Sequence, residues 1–280
     1  MLVATWNVNS IKTRLERALA FLASREPDVL CLQELKCDES SFPFDDFRKA
    51  GYHAAIHSQP SYNGVAVISK DEPIAVRLGF DDDGFPDPHR RLITATFGAA
   101  SLGLDGDEVT VINGYFPNGG SVDSDKWLYK LDWMDRLRRR LHRDGAAQRR
   151  TVVVGDFNVA PTDADVAHPK RWRESVLCAE PARRGLHRLT DLGFQDCFRA
   201  LHPVADDATP DPDDRNRFSW WDYRNRGWEN NDGLRIDHVF ASEPLADAVV
   251  EAWVDSAERA PDAHKTAPSD HAPVLVRFAD

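Results

Sequence analysis

Short apolar runs that end in chemically reactive polar residues constrain this chain more than any other feature. Residues 2–6 lead into Asn7 and Asn9, 28–32 into Gln33-Glu34, and 109–116 into Pro117-Asn118. Thr151–Val154 runs into Gly155-Asp156-Phe157-Asn158, Arg235-Ile236-Asp237-His238 opens a further run, and Ser269-Asp270-His271 precedes the last one. Runs of this length, rich in β-branched residues and bounded by turn formers, read as strands. Their terminal residues pass into loops, and loops at one edge of a sheet can meet at a shared site.

Between the first two runs, Ile11, Leu15, Ala18, Leu19 and Leu22 fall at helical spacing, closed by Pro27, so the segment reads strand, helix, strand. Residues 53–57 and 65–69 flank Asn63-Gly64 and read as a hairpin. Further strands are predicted at 74–78, 91–97, 235–241, 249–254 and 273–278, and a helix at 183–193. A longer helix is predicted from Ser124 to His142, with Trp127, Leu128, Leu131, Met134, Leu137 and Leu141 on one face. No Pro/Gly/Ser linker divides the chain and no repeat recurs. The reading is a single domain over 1–280, with two mostly antiparallel sheets packed together and helices outside.

With 280 residues, 42% hydrophobic and 29% charged, the composition is that of a folded globular protein. No apolar run reaches the roughly 18 residues of a membrane span, and the N-terminus lacks a basic, signal-like region. Cys31, Cys37, Cys178 and Cys197 show no zinc spacing and read as reduced thiols. The expectation is a cytoplasmic protein with no membrane partner. The net charge of −11 argues against a protein that coats nucleic acid by bulk charge.

Taken singly, the polar sites are ambiguous. Glu34 could be a solvated strand end, Tyr115 a packing residue, and Asp156 and Asn158 turn formers. Extended backbone, however, puts Asp156 and Asn158 on one side and Phe157 on the other, an acceptor beside a bifunctional amide, suited to a water and a phosphoryl oxygen. An Asp next to His271, with Asp237 elsewhere, allows one carboxylate to bind metal and the other to orient the imidazole. Hard oxygen donors without an H-E-x-x-H motif favour Mg²⁺ or Mn²⁺ over zinc, and the set suits phosphoryl transfer to water.

WNVNS, LQELK, NGYFPNG, GDFNVAPTD, GLRIDHVFAS and SDHAPV together resemble the exodeoxyribonuclease III family of the endonuclease/exonuclease/phosphatase superfamily, in the family's order and across residues 6–274. The resemblance implies a deoxyribonuclease I-like fold, a four-layer α/β/β/α sandwich. It implies metal at Glu34 with Asn7 and Asp270 nearby, and a single Mg²⁺, because Asn9 stands where some relatives carry a second metal-binding Asp. It also implies that Asp156 positions or deprotonates the attacking water, Asn158 holds the phosphate, and Tyr115 donates to a phosphate oxygen. His271, oriented by Asp237, would stabilise the developing charge, and Lys126 would lie near the phosphate.

The segment from Arg217 to Trp228 interleaves aromatics with arginines, a pattern that can meet phosphates with Arg and bases or bare sugars with flat rings. By resemblance, Trp220, Trp221 and Leu234 would wall a pocket for an extruded abasic sugar. Arg224 belongs to the same loop, and Arg90 and Arg91 resemble backbone-contacting residues. The expected partner is duplex DNA with abasic sites or blocked or recessed 3′ ends, bound by a monomer. The resemblance implies abasic endonuclease, 3′-phosphatase and 3′→5′ exonuclease activities. The residues also admit two alternatives: a relative that hydrolyses a small phosphoester, and a scaffold that kept the fold and lost catalysis. The acidic total then resolves into an acidic centre, acid at Asp81–Asp83 and in 206–214, and a basic rim from 170–188 and 217–226. The arginines of 134–150 read instead as a solvated helix face.

Overall fold

The computed structural model describes residues 1–80, 86–205, 211, 214–261 and 264–279. Asp81–Asp83 and most of the acidic 206–214 segment lie outside the described residues.

In chain order the first half comprises β1 (Leu2–Asn7), α1 (Ile11–Arg25), β2 (Val29–Gln33), α2 (Phe44–Lys49), β3 (His53–His57), β4 (Val65–Ser69), β5 (Ala75–Leu78), β6 (Leu92–Gly98) and β7 (Glu108–Tyr115). There follow α3 (Asp125–Arg143), β8 (Thr151–Asp156), α4 (Pro169–Trp172), α5 (Glu180–Asp191), β9 (Phe194–Asp196) and α6 (Cys197–Leu201). The last part holds β10 (Trp220–Trp221), β11 (Gly233–Leu234), β12 (Asp237–Ser242), α7 (Glu243–Ala246), β13 (Val249–Val254) and β14 (Val274–Phe278). One six-stranded sheet has the order β13-β14-β1-β2-β4-β3, and the other β5-β6-β7-β8-β12-β9. Each contains one parallel pair, β1–β2 and β7–β8, and is otherwise antiparallel.

Three apolar layers glue four structural ones. Val3, Val29, Val67, Val111, Val152, Val154 and Val239 fill the space between the sheets. Ala4, Trp6, Leu30 and Leu32 face outward onto Ile11, Ala18, Phe21 and Leu22 of α1. Ile112, Val153 and Phe240 face the other way, onto Trp127, Trp133 and Leu137 of α3 and Leu186 of α5. A strand covered on both faces needs apolar residues at successive positions, which is why β8 begins Thr-Val-Val-Val rather than alternating. The expected elements form with shifts of a few residues at their ends. The apolar stripe of α3 differs at one point: Leu128 is 61% exposed, while Trp133 and the side chain of Lys130 are buried. The i, i+3, i+4 stripe through Trp127, Lys130, Met134, Leu137 and Leu141 turns Leu128 away from the sheet.

Gly155 decides how closely β7 and β8 approach. Its φ is +139°, and a Cβ there would lie 1.9 Å from the Gly114 carbonyl oxygen opposite it. Without a side chain at 155, Tyr115 and Asp156 come into register as neighbours.

Behind this edge lies a buried ion cluster. The Arg235 guanidinium meets Asp165 at 2.7 Å and Asp196 at 2.8 Å, and Arg199 also reaches Asp165. Burial pushes the Asp165 carboxyl up, but Arg235 and Arg199 outweigh it and hold it at about 2. A carboxyl so depressed contributes stability above its unfolded value of ~3.9, and that contribution is lost as pH falls through about 2. Asp165→Asn is therefore expected to cost about 3 kcal/mol at neutral pH, because two guanidinium groups lose their counter-charge. Urea unfolding at stepped pH should show the gap from wild type narrowing between about pH 4 and 2. A gap that does not change with pH would remove the charge argument.

Candidate active site

Strand register assembles the site before any side chain is considered. Asp156 is directly opposite Tyr115 on β7 and Asp237 on β12, and Asn7 is paired with Gln33, just before Glu34. The antiparallel bridge between Trp220 and His271 brings in the remaining loop. All of these lie at one end of the two sheets.

The side chains converge accordingly. Asn7 Nδ2 donates to Glu34 Oε1 at 2.8 Å and to Asp156 Oδ2 at 2.9 Å. Asp156 also accepts from the Asn158 main-chain N–H at 2.9 Å and from Asn158 Nδ2 at 3.1 Å. His271 Nδ1 is 2.8 Å from Asp237 Oδ2, and its Nε2 is 3.8 Å from Asp156 Oδ2. Glu34 and Asp156 are the acidic groups that act on the Tyr115 hydroxyl, and the Arg91 guanidinium lies 4.6 Å over the Tyr115 ring. Phe157 points away and stacks on Phe116 at 4.1 Å, so Asp156 and Asn158 do share one side. Asn9, Ser10, Glu34, Lys36 and Asn158 all have positive φ. Such conformations cost non-glycine residues about 1 kcal/mol or more each, and they cluster where function demands a fixed geometry.

A second arm runs along the site's edge. The Lys36 ammonium pairs with Glu34 Oε2 at 2.7 Å and bonds Asn9 Oδ1, while Asn9 Nδ2 donates to Asp270 Oδ1 at 2.9 Å. Trp220 Nε1 holds the other oxygen of Asp270 at 3.1 Å. Trp172 meets Trp220 edge-on at 5.6 Å and is anchored through Nε1 on Asp232 at 2.8 Å.

Burial pushes the Asp156 carboxyl up to about 7, with His271 opposing and Asp237 reinforcing. Burial opposes protonation of His271, but Asp237 and Asp156 outweigh it and raise it to about 10. An imidazolium therefore stands beside a carboxyl that can lose its proton near neutrality. Burial likewise disfavours a charged Glu34, yet Lys36 and Asn7 outweigh it and hold the carboxyl below its usual range. Burial, with Glu34 and Asp156, raises the Tyr115 phenol well above normal, so it remains a donor.

Two places here gather carboxylates. Asp156, Asp237 and His271 bring side-chain atoms within 4.8 Å of one another, and Asp237 Oδ1 is buried without a partner among the described residues, but the imidazolium of His271 has no lone pair to give a metal. Glu34 Oε1 and Asp156 Oδ2 flank a single amide nitrogen, which occupies the position a cation between two carboxylates would take. Asn7 presents that nitrogen, not its oxygen, to the carboxylates, because Oδ1 accepts from the Asn9 N–H at 3.0 Å. A ligand role for Asn7 therefore requires its amide to turn over.

Other expected site residues stand elsewhere. Trp221 and Leu234 are 0% exposed: Trp221 donates to Asn231 Oδ1 at 2.9 Å, and Leu234 packs in the layer beneath Trp220. The expectation that both wall a pocket is corrected: neither offers surface to a ligand, since β10 and β11 form a two-stranded ribbon that turns both inward. Trp220 keeps an exposed part, and the wall beside it is Trp172, which the sequence reading missed although Arg171-Trp172-Arg173 repeats the aromatic–arginine pattern. Arg224 is exposed and paired with Asp222 at 2.8 Å. Arg90 is exposed, its guanidinium 2.8 Å from His57 Nε2. Lys126 is exposed on the first turn of α3, beside Gly120. In the expected basic rim, Arg171, Arg173, Arg183, Arg184 and Arg188 each face a carboxylate. The pairs of Arg173, Arg184 and Arg188 lie at the surface; such pairs are weak, and phosphates can compete for them.

The fold recurs in known proteins. The chain is 34% identical to exodeoxyribonuclease III of Haemophilus influenzae, with 98% of each chain covered. It superposes with TM-score 0.86 on the Neisseria 3′ phosphatase NExo, solved with a product DNA hairpin, at 37% identity over the whole of both chains. An AP endonuclease from Archaeoglobus fulgidus superposes equally well, with TM-score 0.86, at 35% identity and full coverage of both chains. Residues 4–271 match the endonuclease/exonuclease/phosphatase family, to which this chain, a hydrolase-type nuclease homologous to exodeoxyribonuclease III, belongs.

Proposed function

We propose that this protein is a divalent-metal-dependent DNA repair nuclease that acts as a monomeric, cytoplasmic, single-domain enzyme on duplex DNA. It cuts on the 5′ side of abasic sites, removes 3′ blocking groups and degrades strands from 3′ ends. The observation that carries this reading is the buried Asp156–His271–Asp237 cluster flanked by Asn158, Tyr115 and Glu34.

The chemistry follows from these positions. Asp156, able to lose its proton near neutrality, holds and deprotonates the attacking water. His271, kept cationic by Asp237, faces the negative charge that grows on the phosphate. Asn158 and Tyr115 supply neutral donors to the phosphate oxygens. Glu34, with Asn7 once its amide has turned over and with Asp270 nearby, would hold Mg²⁺ or Mn²⁺, which when bound neutralises phosphate charge. Trp220 offers a flat face to an extruded sugar, while Arg90, Arg91 and Lys126 meet the flanking backbone.

The test uses labelled duplexes bearing an abasic analogue, a 3′-phosphate or a plain recessed 3′ end, each with Mg²⁺ or EDTA. Metal-dependent processing of at least one duplex, and of all three at unequal rates, is expected. If none is processed faster with Mg²⁺ than with EDTA, the reading fails. Faster turnover of a small phosphoester such as an inositol phosphate would favour the alternative within the superfamily.

A further inference from the structure

Lys130 takes no part in the chemistry above, yet it is among the most buried charged groups near it. It occupies a position on the inward stripe of α3 that an apolar residue would normally fill, and its side chain is 0% exposed. Its ammonium donates to Asn158 O at 2.7 Å, Val176 O at 2.7 Å and Asn118 O at 3.1 Å. An ammonium has three donors, and all three are spent on main-chain carbonyls, none on a carboxylate.

Those carbonyls belong to three separate segments, the turns after β7 and β8 and the stretch between α4 and α5. Asn118 then returns through its side chain, donating from Nδ2 to Asn158 Oδ1 at 2.9 Å. Asn158 is thus gripped at its main chain by Lys130 and at its amide oxygen by a residue that Lys130 also grips, while its Nδ2 donates to Phe116 O and Asp156 Oδ2 at 3.1 Å each. Gly119 makes room for this: its φ is +99°, and an added Cβ would lie 3.0 Å from Lys130 Cδ and 3.2 Å from the Trp127 ring. Burial lowers the Lys130 pKa to about 7 against the pull of Asp156, so placing this amine here costs free energy. A residue that only filled volume would carry no such charge.

From this geometry we propose that Lys130 is a positioning residue, whose ammonium fastens the Asn118, Asn158 and Val176 segments together and so aims the Asn158 amide at the phosphoryl group. The inference rests on the nuclease reading for its kinetic consequence, but not for its structural one.

The test is Lys130→Met, which conserves volume and removes the donors, with Asn118→Ala as a second variant at an exposed position. Both are compared with the full-length wild type in steady-state kinetics on the abasic duplex with Mg²⁺ and in amide hydrogen exchange resolved by peptide. For Lys130→Met, kcat should fall about 100-fold with KM within about threefold, and exchange should rise in the peptides around 118, 158 and 176 but not in β1, β2 or β14. Asn118→Ala should lower kcat about tenfold without moving the melting temperature. Wild-type kcat in Lys130→Met, or exchange raised uniformly across both sheets, overturns the proposal. Should Lys130→Met fail to fold, wild-type kcat in Asn118→Ala overturns it. Should the wild type show no metal-dependent cleavage, the nuclease reading falls and exchange alone decides: local loss of protection in Lys130→Met supports the fastening role of Lys130, and unchanged protection refutes it.

Discussion

Asp156→Asn is expected to lower kcat on duplex DNA by about four powers of ten, equivalent to about 5.5 kcal/mol of transition-state stabilisation, with little change in DNA affinity. The substitution keeps the shape of the side chain and removes its ability to take a proton. It also turns an acceptor surrounded by donors, namely Asn7 Nδ2 and the Asn158 N–H and Nδ2, into a group that must set one N–H against them. Both effects fall on the water and the phosphate rather than on the duplex flanks, so KM should barely move. Because burial holds the wild-type carboxyl at about 7, the working base appears only as pH rises through neutrality. A bound divalent cation would shift that acid limb to lower pH. Single-turnover cleavage and a filter-binding titration in Ca²⁺ separate the two parameters. A large affinity loss with kcat nearly intact would make Asp156 a binding residue instead.

His271 and Asp237 are expected to fail as a unit. His271→Ala and Asp237→Ala should each lower kcat by about three powers of ten, and the double variant by scarcely more. The pair is buried and joined at 2.8 Å, so losing either partner leaves the other without its role. The sign of the pH effect follows from the same contact. Asp237 and Asp156 together raise His271 to about 10 despite burial, so wild-type activity should persist until pH approaches that value. In Asp237→Ala, burial prevails over the remaining charges, and the residual rate should decline as pH rises through or below neutrality. Rate profiles of both single variants between pH 5 and 10 check this. Multiplicative losses in the double variant, or an unshifted alkaline limb in Asp237→Ala, would separate the two residues.

Much of this site is legible along the chain because strands announce their own ends. Asn7, Glu34, Tyr115 and Asp156 each follow an apolar run, while Asp237 and Asp270-His271 each precede one. A run's end is set by local composition, and extended backbone fixes which of two neighbours faces which way, as Asp156 and Phe157 illustrate. The three longer helices, α1, α3 and α5, were equally visible as stripes of period 3.6, except where Lys130 took an apolar place and Leu128 a solvent one, whereas α2, α4, α6 and α7, of four to six residues each, are too short to show a stripe. No single-residue signal marks a lysine that will find three carbonyls, because those carbonyls come from segments up to 46 residues away.

Residue types at strand ends, the strand and helix periods, and therefore a two-sheet sandwich with one reactive edge belong to the linear sequence. Which oxygens touch, which tryptophan is wall and which is core, and which carboxyl titrates near neutrality were settled only by folding. Asn7 and Asp156 are 149 residues apart and share one hydrogen bond. Trp220 and Trp221 are adjacent, yet one faces the site and the other is sealed from solvent. The physical reason is the same in both cases: hydrogen bonds, burial and charge coupling act over a few ångströms of space, and those distances exist only once the two sheets have packed.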